Sequence, residues 1–186
     1  MAIIERGSFF SYLKGSIKNI IIRSSGTGTH VYLKPVGKKK FSEAQKQQQI
    51  TFTKGAAWGN HAKDDQQLKG IYQKKAKGNR SVYHIALRDK MNPPVIKKIN
   101  LSRYAENPDQ PIVISAWDDF KVVSVTVKVL GAEGKMLEFG QAFAKGAFWY
   151  YHPGCKVDEV EKVEVTATDL PGNEGRKSEK MRLLKP

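Results

Sequence analysis

Apolar and polar residues follow two different periods along the chain, and the period changes near residue 94. Over much of the part before residue 94, apolar residues recur every three or four positions, a spacing typical of helices with one buried face. From Val95 onward, apolar and polar residues alternate one by one, as in strands that bury one face. The sequence therefore predicts helices in the first part and antiparallel strands in the second.

The first part also predicts a β-hairpin ahead of its helices. Two runs rich in β-branched and aromatic residues, Ile17 to Arg23 and His30 to Leu33, flank "SSGTGT", whose glycine and hydroxyl residues favour a turn. Helices are expected from Ser42 to about Trp58, from Asp64 to Lys77 and from Arg80 to Lys90. The N-terminal region is thus predicted to be α+β, with one hairpin and two or three helices.

Each predicted helix has an apolar face that we expect to be buried. The first helix is weakened near its end by Gly55 and Gly59, because glycine lowers helix propensity. The expected buried residues are Ala44, Phe52 and Ala56 in the first helix, Leu68, Ile71 and Tyr72 in the second, and Val82, Ile85 and Ala86 in the third.

The second part predicts an antiparallel β-sandwich made of short strands. Ile112 to Asp118 alternates apolar and polar residues, and "VEKVEVTATDL" does the same later in the chain. "KVVSVTVKVL" places Val123, Val125, Val127 and Val129 on one face. We therefore divide the chain into a hairpin-plus-helices region at 1–94, a β-sandwich at 95–175 and a short basic tail at 176–186.

Three stretches of the second part resemble bacterial immunoglobulin-like domains. They are "AWDDFKVVSVTVKV", "GAEGK" and "VEVTATDLPGN", and the last is similar to the closing signature of many such domains. The resemblance implies an immunoglobulin-like sandwich, and such domains usually act as interaction or spacer modules. The whole chain also resembles a set of proteins abundant in Bacteroidota, through "GSFFSYLKGSIKN", "KKKFSEAQKQQQITF" and "SVYHIALRDKMNPPVI". That second resemblance implies the two-part architecture and no particular activity.

The positive charge is confined to the first part of the chain. The net charge of the whole protein is +14, but residues 1–100 carry +15 and residues 101–186 carry −1. Such asymmetry suggests that the first part meets nucleic acid, acidic protein or anionic lipid, although each basic run by itself is commonly just a solvated surface. The residues expected to contact a polyanion are Lys38, Lys39, Lys40, Lys74, Lys75, Lys77, Arg80 and Arg88.

Residues that could carry catalysis or bind a metal are scattered. The four histidines fall in separate predicted elements, and no Gly-x-Ser-x-Gly motif occurs. Asp118 and Asp119 could act in acid–base chemistry or, with Asp169 and Asn173, bind Ca²⁺ at a sandwich edge. We favour turn capping, because adjacent side chains of an extended segment point in opposite directions. No catalytic residue, metal or cofactor is therefore expected.

The chain also lacks sequence features of export. The one cysteine, Cys155, excludes an internal disulfide, and no apolar run has the length of a signal peptide or a membrane span. We expect a cytoplasmic protein, or one within an assembled particle. The leading hypothesis is a non-enzymatic adaptor. Its basic part would contact a polyanion, foremost nucleic acid without sequence readout, and its sandwich would contact protein. The alternative is a structural subunit of a phage particle or of secretion or surface machinery.

Overall fold

The chain forms two compact units in the computed structural model, which describes residues 2–4, 15–25, 28–34, 40–76 and 80–181. The first unit comprises Met1–Ser42 and the second comprises Glu43–Pro186. The sequence prediction placed its boundary after residue 94 instead.

The first unit contains a four-stranded antiparallel sheet in the order β1-β4-β3-β2. Its central pair, β3 and β4, is the hairpin expected from the sequence, with Ile20 opposite Leu33. The predicted strand from Ile17 to Arg23 is not continuous. A turn at Lys18 and Asn19 separates β2 from β3. The strands are β1 (Ala2–Ile4), β2 (Gly15–Ile17), β3 (Ile20–Ser25) and β4 (Gly28–Leu33).

Three helices open the second unit: α1 (Glu43–Asp64), α2 (Gln66–Gln73) and α3 (Val82–Met91). All three were expected, although α1 runs past Trp58 and α2 ends before Lys77. Asp65 caps α2, because its Oδ1 accepts a hydrogen bond from the amide of Leu68 at 2.8 Å.

The buried face of α1 differs from the predicted one. Its buried residues are Gly55, Gly59 and Ala62, whereas Ala44 is exposed and Phe52 is 52% exposed. Glycines are buried here because α3 lies very close to α1. A Cβ added to Gly59 would lie 2.8 Å from the ring of Tyr83 in α3, which is too close. The glycines that weaken an isolated helix are therefore the residues that allow this helix pair to form.

The rest of the second unit forms two four-stranded antiparallel sheets, in the orders β5-β6-β10-β9 and β12-β11-β7-β8. A short helix, α4 (Ser102–Glu106), was not predicted. Residues 176–180, assigned to a tail from the sequence, belong instead to the last strand. The strands are β5 (Val95–Asn100), β6 (Ile112–Trp117), β7 (Val122–Leu130), β8 (Met136–Gln141), β9 (Phe143–Lys145), β10 (Phe148–Tyr151), β11 (Lys162–Asp169) and β12 (Glu174–Lys180).

One apolar core lies between these two sheets and makes the arrangement sandwich-like. Alternate residues of β6, β7 and β11 are buried, as the sequence period predicts, and they pack in one cluster. Val123 is an exception at the start of β7, where it is 46% exposed. The central buried residues are Ile112, Ile114, Val125, Val127, Val129, Val163, Val165 and Ala167.

Polar contacts connect the helices to the sheets within the second unit. The side-chain amide of Asn173 donates to the carbonyl oxygen of Asp89 at 3.2 Å, and Lys90 Nζ donates to the carbonyl oxygen of Pro171 at 3.0 Å. These bonds explain why α3 and the sheets form one compact unit. No helix in the described ranges is both long and apolar enough to cross a membrane.

Candidate functional site

An open cleft of about 500 Å³ lies beside α3 in the second unit. Three of the residues that line it are cationic, one is acidic, and an aromatic ring and an aliphatic side chain lie between them. The lining residues are Lys75, Arg80, His84, Ile85, Arg88, Asp119 and Phe120. We call this the basic cleft.

Helical geometry explains why α3 contributes basic residues to the cleft. His84 and Arg88 are four residues apart within α3 and therefore lie on one side of it, whereas Arg80 precedes the helix and lines the same cleft. Ala86 and Asp89 are the buried residues of the helix. Ala86 is buried as the sequence predicts, but Ile85, also expected on the buried face, lines the cleft, and the buried carboxylate of Asp89 was not predicted.

Lys75 is fixed at the cleft by the loop that follows β6. Its Nζ donates to the carbonyl oxygen of Phe120 at 2.5 Å and lies 4.6 Å from the centre of the Phe120 ring. The Phe120 ring in turn contacts the ring of Tyr72, with the centroids 4.5 Å apart. The ammonium group therefore has a defined position while one side of it remains exposed.

The two arginines differ in how far they are already paired. Arg88 Nε lies 2.8 Å from Asp119 Oδ2, yet the Arg88 side chain is 60% exposed. Arg80 has no ion pair among the described residues and is exposed. Arg80 therefore keeps its full hydrogen-bonding capacity, and Arg88 keeps the donors other than Nε.

The structure brings together only part of the predicted polyanion-binding set. Lys75, Arg80 and Arg88 line one cleft, and Lys74 is exposed but outside its lining. Lys40 is exposed in the first unit. Lys38, Lys39 and Lys77 lie outside the described residues.

An acidic cluster lies behind the cleft, between α3 and the ends of two strands. Asp89, Asp118 and Asp169 each contribute one carboxylate oxygen, and these oxygens all lie within 4.8 Å of one another. Asp89 belongs to α3, Asp118 follows β6 and Asp169 ends β11. We call these three residues the Asp cluster.

Asp118 uses one oxygen to cap a turn and turns the other inward. Its Oδ1 accepts hydrogen bonds from the amides of Phe120 and Lys121, both at 2.7 Å, which confirms the turn-capping interpretation of the sequence. Its Oδ2 is buried and has no hydrogen-bond donor among the described residues. The capping interpretation is therefore correct for only half of this carboxylate.

Asp89 is the most buried member, with 1% of its surface exposed. Its Oδ2 accepts a hydrogen bond of 2.5 Å from the Tyr72 hydroxyl, which accepts one of 3.0 Å from Trp58 Nε1. Its Oδ1 is buried with no donor in the described part of the chain, and so is Oδ1 of neighbouring Asp119. Each such oxygen costs free energy, because burial removes its water without replacing the hydrogen bond.

Asp169, 3% exposed, is held by one residue. The backbone amide of Asn173 donates to Oδ1 at 2.5 Å, and the Asn173 side-chain amide donates to Oδ2 at 2.7 Å. This bonding fixes the turn between β11 and β12. It also fixes the orientation of the Asp169 carboxylate toward the cluster.

Burial and mutual repulsion disfavour ionisation of the cluster. Burial is the largest cause that raises the pKa of Asp89 to about 7; the Tyr72 hydrogen bond opposes the rise, and the charges of Asp118, Asp169 and Asp119 add to it. Burial also raises the pKa of Asp169, although its bonds to Asn173 and the nearby Lys90 act against this. The ionised carboxylates of the Asp cluster therefore need a nearby positive charge.

The sequence identified Asp118, Asp119, Asp169 and Asn173 but missed Asp89. A signal was present: Asp89 lies three residues after Ala86, a helical spacing that places both on the buried side of α3. The basic neighbours Arg88 and Lys90 obscured it, because they make the segment appear to be a solvated helix end.

Among the residues that the structure describes, Cys155 and His152 show no catalytic arrangement. Burial raises the pKa of the Cys155 thiol, which disfavours the reactive thiolate. The His152 ring stacks on Phe143 at a centroid distance of 5.9 Å. The geometry of neither residue resembles a nucleophile with its base.

In comparisons with known proteins, no family model, no curated protein and no solved structure matches this chain. A function for the protein therefore rests on the chemistry of its own residues.

Proposed function

We propose that the protein is a non-enzymatic binding protein whose basic cleft holds the phosphate groups of a polyanion, with nucleic acid as the leading candidate. The observation that carries this proposal is the convergence of Lys75, Arg80 and Arg88 on one open cleft. The second part of the proposal is that the sandwich, which we take to be immunoglobulin-like, contacts protein. A place in the cytoplasm or within an assembled particle is part of the same proposal.

The chemistry of the cleft favours a phosphate over a neutral ligand. The cleft has three cationic groups, those of Lys75, Arg80 and Arg88, and one carboxylate, that of Asp119. The carboxylate is already paired with Arg88. Arginine presents several donors in a plane, which suits phosphate oxygens. A phosphate in the cleft would thus meet the unpaired Arg80 and the remaining donors of Arg88.

The same chemistry favours contact with a backbone over readout of bases. The cleft is open, and two rings line it: that of Phe120 is covered on one side by Lys75 and packed against Tyr72, and that of His84 is hydrogen-bonded to Ser81 and edge-on to Tyr83. Stacking on a base needs a free ring face, so the cleft offers charge rather than base-specific contacts. We therefore expect binding that depends on salt and little on sequence.

The protein-binding part of the proposal is supported by one edge region of the sandwich. β8 and β9 are edge strands of the two sheets, and edge strands readily pair with other chains. Large apolar side chains are exposed on and next to these edges. They are Met136 at 61%, Phe139 at 56%, Phe143 at 50% and Phe148 at 45%.

Charge reversal in the cleft tests the proposal. Fluorescence anisotropy with labelled duplex DNA and RNA should detect binding at about 50 mM salt that weakens steeply toward about 300 mM. Arg80→Glu should weaken binding about tenfold or more at low salt. Arg103→Glu on α4 is the matched control, because it changes the net charge equally at an exposed position outside the cleft.

Two results would contradict nucleic-acid binding through the cleft. One is the absence of binding at low salt. The other is an equal loss of affinity in both variants, which would mean that only the overall charge matters. In either case the structural-subunit alternative would be favoured, and light scattering would test it by looking for a defined oligomer.

A further inference from the structure

We propose that the Asp cluster is a binding site for one hard divalent cation, calcium foremost, which fastens α3 to the sandwich. This inference is independent of the polyanion-binding proposal. Its three proposed ligands do not line the basic cleft, and either proposal can fail without the other.

The first argument is the presence of buried oxygens without donors. Asp89 is 1% exposed, and its Oδ1 has no hydrogen-bond donor in the described ranges; the same is true of Asp118 Oδ2 and Asp119 Oδ1. Proteins rarely leave such atoms unsatisfied. Three of them, two in the Asp cluster and one in Asp119 next to Asp118, indicate that something other than the described residues satisfies them.

The second argument is the donor set. The cluster offers carboxylate oxygens only, with no histidine or cysteine among its members, and oxygen ligands suit calcium, magnesium or manganese. Calcium binds oxygens at about 2.3–2.6 Å, so opposite ligands lie about 5 Å apart. Cluster oxygens within 4.8 Å of one another fit such a shell. Calcium also accepts the irregular geometry that three separate chain segments impose.

The third argument is charge. Four carboxylates, those of the Asp cluster and Asp119, lie together. Among the described residues, two side-chain cations act on them: Arg88 pairs with Asp119, and Lys90 attracts Asp169 electrostatically. A divalent cation would balance the two remaining negative charges.

The fourth argument is that the ligands are fixed in advance. Backbone amides hold Asp118, Asn173 holds both oxygens of Asp169, and Tyr72 holds Asp89. Hydrogen bonds from such neighbouring groups orient metal ligands and raise affinity. The cation would also join three elements, because its ligands come from α3, the end of β6 and the end of β11.

The decisive experiment uses the full chain after chelation and dialysis. Isothermal titration with CaCl₂ should show one saturable site, and calcium should raise Tm by about 5 °C when it is in large excess over Kd. MgCl₂ and MnCl₂ titrations distinguish the ions, and saturable one-site binding of any of the three supports a hard-cation site. Absence of saturable binding for all three would overturn the proposal.

Matched variants locate the site. Asp118→Asn keeps an oxygen to accept from the Phe120 and Lys121 amides but removes a charged ligand, so it should abolish the calcium-dependent Tm shift. Asp158→Asn, at an exposed position, should leave the shift intact. A full shift in Asp118→Asn, or equal losses in both variants, would overturn the assignment.

Terbium luminescence keeps the test decisive if Asp118→Asn does not fold. Tyr72 bonds to Asp89 and to Trp58, so the cluster has two aromatic donors of excitation energy close to it. Excitation of these rings in the wild-type protein should sensitise emission from bound Tb³⁺, and calcium should suppress it competitively. Emission that calcium cannot displace would count against the site.

Discussion

Glu138 and the Asp cluster are carboxylate sites in the same unit, but Glu138 has hydrogen-bond donors for both oxygens, whereas two of the three cluster members do not. Its Oε1 accepts from the Tyr151 hydroxyl at 2.5 Å, and its Oε2 accepts from the amides of Gly154 at 2.7 Å and Cys155 at 3.2 Å. In the Asp cluster, by contrast, Asp89 Oδ1 and Asp118 Oδ2 have no donor among the described residues.

The pKa values of the two sites move in opposite directions, and hydrogen bonding decides the sign. Burial opposes ionisation of Glu138, but its bonds from Tyr151, Gly154 and Cys155 outweigh burial, and the pKa lies below the ordinary value of 4.5. Burial raises the pKa of Asp89 to about 7, and the single bond from Tyr72 does not outweigh it. The partly buried carboxylate of Glu138 is favoured in its ionised form by its donors, whereas ionisation of Asp89 is disfavoured by its burial and by the neighbouring carboxylates.

The largest effect is expected from removing the satisfied carboxylate. Glu138→Ala should lower the free energy of unfolding by about 1–3 kcal/mol, because three donors lose their acceptor. Urea unfolding followed by circular dichroism measures this change. Glu161→Ala is the control, since Glu161 is exposed and its backbone bonds would remain. Equal stability of the two variants would contradict the contrast between the sites.

A change of opposite sign is expected in the Asp cluster. With a chelator at about pH 8, Asp89→Asn should raise the free energy of unfolding by about 1 kcal/mol, because it removes a charge and its amide can donate to neighbouring oxygens. The same urea titration measures it. A loss of stability comparable to that of Glu138→Ala would show that Asp89 is as well accommodated as Glu138.

The smallest effect is a pH dependence that belongs to Glu138. Because its pKa is lower in the folded state, its ionised form contributes stability above about pH 4.5, and this contribution is lost as the pH falls through the folded-state pKa. The difference in unfolding free energy between wild type and Glu138→Gln should therefore be constant near neutral pH and shrink below pH 4.5. A difference that grows on acidification would contradict the lowered pKa.

The sandwich could be predicted because each of its central strands buries one face. Val163, Val165 and Ala167 alternate with polar residues, and this period alone identifies the buried side. The buried face of α1 could not be predicted in the same way. Its contacts depend on how closely α3 approaches, and a search for large apolar residues selected Phe52 instead of Gly59.

The candidate sites were predictable only within single segments. The sequence placed Arg80 and Arg88 on one predicted helix, and both line the cleft although Arg80 lies just ahead of α3. Lys75 joins them because the loop at Phe120 holds it, which no local pattern reveals. Asp89 meets Asp118 and Asp169 only after the helices pack against the sheets, so the Asp cluster is a product of tertiary structure.

The close packing of α1 on α3 has a consequence for how the protein can change over generations. Gly55 and Gly59 lie far from any proposed ligand, yet they set the distance of the helix that carries His84 and Arg88. A larger residue at Gly59 would need a smaller one at Tyr83 to keep that distance. We expect these positions to vary together among descendants of this sequence, so that the cleft is inherited partly through residues that never touch what it binds.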